Sequence, residues 1–447
     1  MADLTFKGTT QQVLWEINNG SKIDENTKVT INDNNYTLAN LLTVINADGG
    51  LNYKVVLEKT SAAFELSGDK TDILKMLAGV NNYTGPLTVT DGTAGYAISS
   101  ADLNKIAAGT TGKVTATIAN SEAIDQTLVS ALQDVKTSDN ITFAPTDNDL
   151  DGNSEISALI SLSKILPKAD FSAINTIEGS ANDVAAIKQA LAILKNNAAV
   201  AVEITGSINA ADINAISKAT KGILTADIRD GSIKATLSAL KDIDQNVKAD
   251  KLTFKSTDTT ASAKDMVALA AKTDDEANFN FTSVKTITAD AKDADSVVDA
   301  LGLTTINSAP EIKISGNVEL ADITSIITAS NSAGGKVIAN VKAGTDADLL
   351  AAIKTAAGTD VLNLTVTGAT ATATTLLALD TKTAGTIAVE AAAITGSPSN
   401  LGTLYTNATG AFTKLGNENV TITGIITTAA ELNKVAAATS GKVTATL

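Results

Sequence analysis

The chain has no cysteine and no histidine. The first absence excludes disulfides and thiolate metal centres. The second removes the commonest general base and the commonest transition-metal ligand. Aromatic residues make up 3% of the 447 residues against 44% hydrophobic overall, so any core is built from Ala, Leu, Ile and Val in thin layers. Positive charge is also short: 34 Lys+Arg stand against 49 Asp+Glu, a formal charge of −15. That balance argues against a nucleic-acid partner, which needs clustered positive charge. No apolar run approaches the roughly 20 residues of a transmembrane helix. The opening Met1-Ala2-Asp3-Leu4-Thr5-Phe6-Lys7 lacks the basic region and apolar stretch of a secretory leader. Two localisations follow: the cytoplasm, or export by a route that needs no such leader. The cysteine-free, Thr-, Ala-, Asn- and Asp-rich composition favours a secreted or cell-surface protein.

What is present is a long repeat. Ala101-Asp102-Leu103-Asn104 recurs as Ala211-Asp212-Ile213-Asn214, Ala321-Asp322-Ile323-Thr324 and Ala430-Glu431-Leu432-Asn433, at steps of 110, 110 and 109 residues. Phe171-Ser172-Ala173-Ile174 matches Phe281-Thr282-Ser283-Val284, and Ile204-Thr205-Gly206 matches Ile314-Ser315-Gly316. Asp139, Asp250 and Asp360 each stand two residues before an apolar residue, at nearly the same step. Within each super-repeat, short β-type runs alternate with helical patterns. The runs are expected at 113–118, 141–144, 171–177, 200–206, 223–228, 251–256, 281–287, 311–315, 336–341, 361–366, 386–390, 419–423 and 442–447. Ile124, Leu128, Ala131, Leu132 and Val135 are spaced for one apolar helix face, as are Val184, Ile187, Leu191 and Ile193-Leu194.

Strand, short helix and strand within so few residues close as parallel βα turns. The expected fold is therefore an α/β solenoid of parallel β-strands and α-helices. It resembles a leucine-rich-repeat stack, with about 16 coils of about 23–30 residues inside a 110-residue super-repeat. In Val114-Thr115-Ala116-Thr117-Ile118, alternation turns Val114, Ala116 and Ile118 towards the helices and the threonines to solvent. Gly112, Gly222, Gly385 and Gly441 fall between helix and strand, where a left-handed cap is expected. Ser100, Asn209 and Thr428 are the expected helix N-caps. Three regions follow: 1–27, a cap or docking segment holding Trp15; 28–86, divergent coils with strands at 28–32 and 53–57 and helices at 36–45 and 71–80; and 87–447, the regular solenoid. The final Lys442–Leu447 run repeats Lys113–Ile118 with no polar element after it. Either a longer chain continues in register, or this end docks head-to-tail on another copy.

Chemistry is sparse. Asp147-Asn148-Asp149-Leu150-Asp151-Gly152-Asn153-Ser154-Glu155 has the Asp-x-Asp-x-Asp-Gly spacing that gathers hard oxygens for calcium. The candidate ligands are Asp147, Asp149, Asp151, Asn153 and Glu155. Position twelve of the corresponding EF-hand pattern is Ala158 here, and the alternative is a solvated acidic loop with Asx turns. The stretches at 257–263 and 367–373 lack the acidic triplet, so the repeat does not require it. The recurring acid of the Ala-Asp/Glu motif complements a helix N-terminus, and Asn104, Asn214 and Asn433 are placed to bond backbone. There is no Gly-x-x-x-x-Gly-Lys-Ser/Thr loop and no Gly-x-Ser-x-Gly elbow, and the reading is that the protein is not an enzyme.

The segments ISSADLNKIAAGTTGKVTATI and ITTAAELNKVAAATSGKVTATL resemble tracts in giant acidic repeat proteins of bacterial cell surfaces, those of cyanobacteria and marine bacteria above all, S-layer- or adhesin-like. The resemblance covers about residues 87–447. It implies extracellular, non-enzymatic scaffolding: a coat, a stalk or a self-assembling filament. The alternative is a solenoid whose exposed sheet face binds a ligand or partner, as in calcium-dependent adhesion. Partners would be other copies of the chain or cell-surface components.

Overall fold

The computed structural model describes residues 5–20, 22–24, 26–34, 36–47, 55–58, 64–91, 97–195, 199–243, 249–406, 410–424 and 429–445. The chain is mixed α/β, and every strand ladder recorded among the described residues is parallel. No sheet among them closes into a barrel. Two compact units divide it: Met1–Gly206 with Ala215–Thr225, and Ser207–Asn214 with Ala226–Leu447.

In the first unit, Thr5–Gly8, Lys28–Ile31 and Val55–Leu57 form one parallel sheet. Leu66–Gly68, Leu87–Val89, Val114–Thr117 and Asn140–Thr142 form a second. Asp149–Asp151, Thr176–Ser180 and the strand beginning at Ala201 follow in the same order. Residues 1–27 supply the same kind of strand-then-helix segment as their successors: Thr5–Gly8 leads into the helix Thr10–Asn19. Thr9 starts that helix with a capping box, its hydroxyl accepting the Gln12 N–H at 3.3 Å while the Gln12 side chain accepts the Thr9 N–H at 2.8 Å.

In the second unit, one sheet runs Thr260–Ser262, Thr286–Asp290, Glu311–Val318, Lys336–Val341, Val361–Val366, Ile387–Val389 and Phe412–Thr413. A second joins Ala371–Thr372, Ala393–Gly396, Asn419–Ile422 and Val443–Ala445. Strand neighbours are successive segments of the chain, with Thr286 opposite Glu311 and Glu311 opposite Lys336. Helices lie between them and pack on one another in the same succession, Ala263–Ala270 against Ala294–Gly302 and that against Leu320–Ser332.

Alternation holds as expected: Val114, Ala116 and Ile118 are buried, while Thr117 is exposed and its hydroxyl meets that of Thr142 at 2.8 Å. The strands Lys251–Ser256, Lys336–Val341 and Val361–Val366 match the sequence expectation to the residue. Two expected strands are displaced. At 171–177 and 281–287 the chain first makes a turn, with the Ile174 N–H on the Phe171 carbonyl (3.2 Å) and the Val284 N–H on that of Phe281 (2.9 Å). The strands proper are Thr176–Ser180 and Thr286–Asp290. Phe171, Ile174, Phe281 and Val284 are apolar because they plug the interior from the turn, which a run of apolar residues does not distinguish from a strand.

The glycine expectation needs a different cause. Gly112, Gly222, Gly385 and Gly441 do not have left-handed backbone. A methyl group on any of them would lie well inside contact distance of the carbonyl oxygen of Gly85, Val200, Leu362 or Glu418 respectively. They are glycine for close backbone approach. The left-handed positions are elsewhere: Gly206 (φ 82°) and Gly316 (φ 85°), the matching pair of the repeat, bend the strands Ala201–Ile208 and Glu311–Val318. The first helix of the Ala-Asp motif is capped by Ser99, one residue before the expected Ser100, its side chain accepting the Asp102 N–H at 3.1 Å. Thr428 and the ends of the expected strands at Tyr53 and Thr446-Leu447 lie outside the described residues.

Candidate functional site

The acidic segment is a strand, a glycine and a helix start, where a tight loop was expected. Asp149–Asp151 pairs with Thr176–Ser180, placing Asp149 opposite Thr176 and Asp151 opposite Glu178. Leu150 is fully buried, so Asp149 and Asp151 share the outer face. Gly152, at φ 98°, turns the chain into the helix Asn153–Ile165, its N–H on the Glu178 carbonyl at 2.9 Å.

Two of the five expected ligands are engaged elsewhere. The Glu155 carboxylate reaches back to accept the Asp151 N–H at 2.7 Å, one residue before the helix N-cap Gly152. Asn153 accepts the Ser180 N–H at 3.2 Å and donates to the Asp183 carboxylate, tying its helix to the next segment. Among the described residues no group of three or more acidic side chains is arranged to hold a metal ion.

The carboxylates nevertheless sense one another. Burial pushes the Asp147 carboxyl above its ordinary value, and its bond to and repulsion from Asp149 push it further. Burial also raises Glu155. The Asp151 N–H opposes that shift, and the charges of Asp147, Asp151 and Asp149 add to it. Acids raised in the folded chain stabilise it below their ordinary range, and that contribution is lost as pH rises through the raised value. The segment is therefore held at a local electrostatic cost at neutral pH.

The polar residues that the 110-residue step brings into register do something else: they stitch neighbouring segments. Asp139, 4% exposed, accepts the Val114 N–H of the preceding strand and the Lys136 N–H of its own turn, each at 2.9 Å. Asp360, 1% exposed, repeats this with Val337 (2.8 Å) and Ala357 (3.0 Å). Neither family models nor curated proteins match this chain.

Thr110 donates to the Gly85 carbonyl and accepts from the Gly112 N–H, both at 2.9 Å. Thr383 and Thr439 do the same with Leu362 and Gly385, and with Glu418 and Gly441. Asn104 exchanges two bonds with Asp134, accepting its N–H at 2.7 Å, and Asn214 does so with Asp242 at 2.9 Å. That bears out the backbone bonding expected for Asn104 and Asn214. Acids from a later segment cap earlier helices: Asp33 accepts the Thr10 N–H, Asp91 that of Lys70 and Glu122 that of Ser100, each at 2.7 Å. Asp102 itself sits in the first turn of its helix, where burial would raise its carboxyl. Lys70, Ser99 and Lys105 outweigh that and hold it below the ordinary value. The signals for these stitches were the Asp139/Asp250/Asp360 register and the Thr-x-Gly that recurs at 110–112, 220–222, 383–385 and 439–441, both visible in the sequence without their partners.

Proposed function

We propose that the chain is a structural repeat protein of a bacterial cell surface, a strand–helix solenoid serving as coat, stalk or filament component and carrying no catalysis. One observation carries the reading: the polar side chains that recur with the repeat are spent on bonds between adjacent segments, not gathered into a cleft. The outward sheet face is occupied in the same way. Asn363 donates to Asn340 at 2.9 Å and accepts the Thr386 N–H at 3.0 Å, and Asp227 receives the hydroxyls of Ser207 and Thr253. A surface already bonded to itself favours scaffolding over recognition of a partner. No helix among the described residues is long and apolar enough to cross a membrane.

Surface exposure is tested by treating intact cells with protease and fractionating them. Loss of the protein from undamaged cells is expected. Full protection, with all of it in the cytoplasmic fraction, would overturn the reading.

Calcium at Asp147, Asp149 and Asp151 belongs to the same proposal, with Asn153 and Glu155 acting through the backbone around it. Their mutual repulsion is the supporting observation. Added calcium is expected to lower the titration midpoints of Asp147 and Glu155, followed by carboxyl NMR, and Asp149→Asn is expected to remove the response. Midpoints that do not move with calcium, in a parent chain that is folded, would exclude the ion.

A further inference from the structure

We propose that the groove at the C-terminal ends of the helices Ala263–Ala270 and Ala294–Gly302 binds a linear aliphatic polyamine. The two helices pack side by side within the second unit. Their C-caps, Ala271 and Leu303, both line a cavity of about 630 Å³, a size typical of small-molecule sites. Val267 and Val298 add apolar wall, and Asp274, Glu276 and Asp299 add three carboxylates. No lysine or arginine lines the cavity. A helix C-terminus carries partial negative charge, so two of them beside three carboxylates select a cation.

Comparison within the chain separates what the repeat requires from what it does not. The same groove occurs one step earlier, at the C-caps Leu166 and Leu194 of the helices Asn153–Ile165 and Val184–Ile193, with about 310 Å³. There Lys164, Leu166 and Gln189 stand where the later copy has Asp274, Glu276 and Asp299. One step later again, Ala384 stands in the place of Asp274. The groove is therefore a product of the repeat, and its acids are not. Gly302 is also under no internal demand. Its backbone is not left-handed, and a carbon added to it would meet nothing within 4 Å. The earlier groove has Ala192 at this place. Glycine at 302 keeps open the space a ligand would take.

The spread of charge points to the ligand class. Among the described residues no three acids are arranged to hold one metal ion. Carboxylates that border one cavity without converging match a ligand whose positive charges are themselves set apart. Ammonium groups joined by methylene chains supply this, the nitrogens meeting carboxylates and the methylenes lying against Val267, Val298 and Leu303. The inference goes beyond the cell-surface reading and does not depend on it, because binding is read on the purified chain.

The probe is spermidine, titrated calorimetrically into the chain at low salt. The parent is expected to bind it saturably, with a midpoint of about 1 mM. Asp299→Asn is expected to weaken binding about threefold. Gly302→Leu keeps every charge and fills the groove, and is expected to weaken it about tenfold. Glu203→Gln, at an exposed position in the first unit, removes one charge and is expected to leave the midpoint unchanged. A parent without saturable binding overturns the proposal. So does an equal loss in Glu203→Gln and Asp299→Asn, which would be diffuse attraction to an acidic chain, or a folded Gly302→Leu that binds as the parent does. Circular dichroism establishes folding, and the exposed pair Asp299→Asn and Glu203→Gln decides the matter should Gly302→Leu not fold.

Discussion

Asp360→Ala is expected to lower the unfolding free energy by about 3 kcal/mol, and Asp139→Ala by a similar amount. Each carboxylate is almost wholly buried and accepts two backbone N–H groups, one from its own turn and one from the strand before it. A bond to a charged acceptor contributes about 1.5–3 kcal/mol, and alanine leaves both donors buried without a partner. Asparagine keeps one acceptor oxygen but turns an NH2 group towards the second donor, so Asp360→Asn is expected to fall between the two. Asp299→Ala, at an exposed position, should stay within about 0.5 kcal/mol of the parent. Urea unfolding followed by circular dichroism checks this series. A loss below about 1 kcal/mol for Asp360→Ala would show that the clamp is not a determinant of the fold.

The second large effect is expected at the close-approach glycines. In Gly385→Ala the new methyl meets the backbone of Leu362, and in Gly112→Ala it meets that of Gly85. Backbone atoms held in a strand, as at Leu362, or directly before one, as at Gly85, cannot rotate aside as a side chain can, so the two segments must separate. A cost of about 1–3 kcal/mol follows from overpacking alone, and loss of the adjoining Thr383 or Thr110 bonds adds to it. Gly302→Ala is the control. It lies at the end of the helix Ala294–Gly302 with nothing within 4 Å of the added carbon, and is expected to stabilise by about 0.4–1 kcal/mol. Thermal melts of the three variants decide the matter. If Gly385→Ala and Gly302→Ala shift in the same direction by similar amounts, close approach is not the reason for the glycine.

These predictions rest on residues whose positions the sequence announced and whose roles it concealed. Asp139, Asp250 and Asp360 fall in register at the repeat step, yet a carboxylate before a strand looks like a solvated turn residue until the preceding strand is beside it. The acidic run from Asp147 to Glu155 differs in local structure from its sequence reading. Its spacing suggested one loop converging on an ion, but Leu150 is drawn into the core and makes the run a strand, while Glu155 and Asn153 are taken by backbone donors. Metal-ligand spacing describes distance along the chain, and a strand sets Asp149 and Asp151 side by side on one face where a loop would wrap the set around one point.

Periodicity was decided locally and could be read directly. Two-residue alternation marks which face of Val114–Thr117 is buried, because a strand has only two faces. The 110-residue step marks which segments are equivalent, because equivalent neighbours demand equivalent side chains. Pro86 and Pro310 fall just before strands and Pro398 opens a helix, where a missing N–H costs nothing. Tertiary structure alone decided the rest. It made Phe171 and Phe281 interior plugs in turns, gave Gly112 and Gly385 a steric reason in place of a conformational one, and turned isolated acids into clamps. All three depend on atoms more than twenty residues away, and composition and spacing carry no record of which backbone group a folded chain will place against a given side chain.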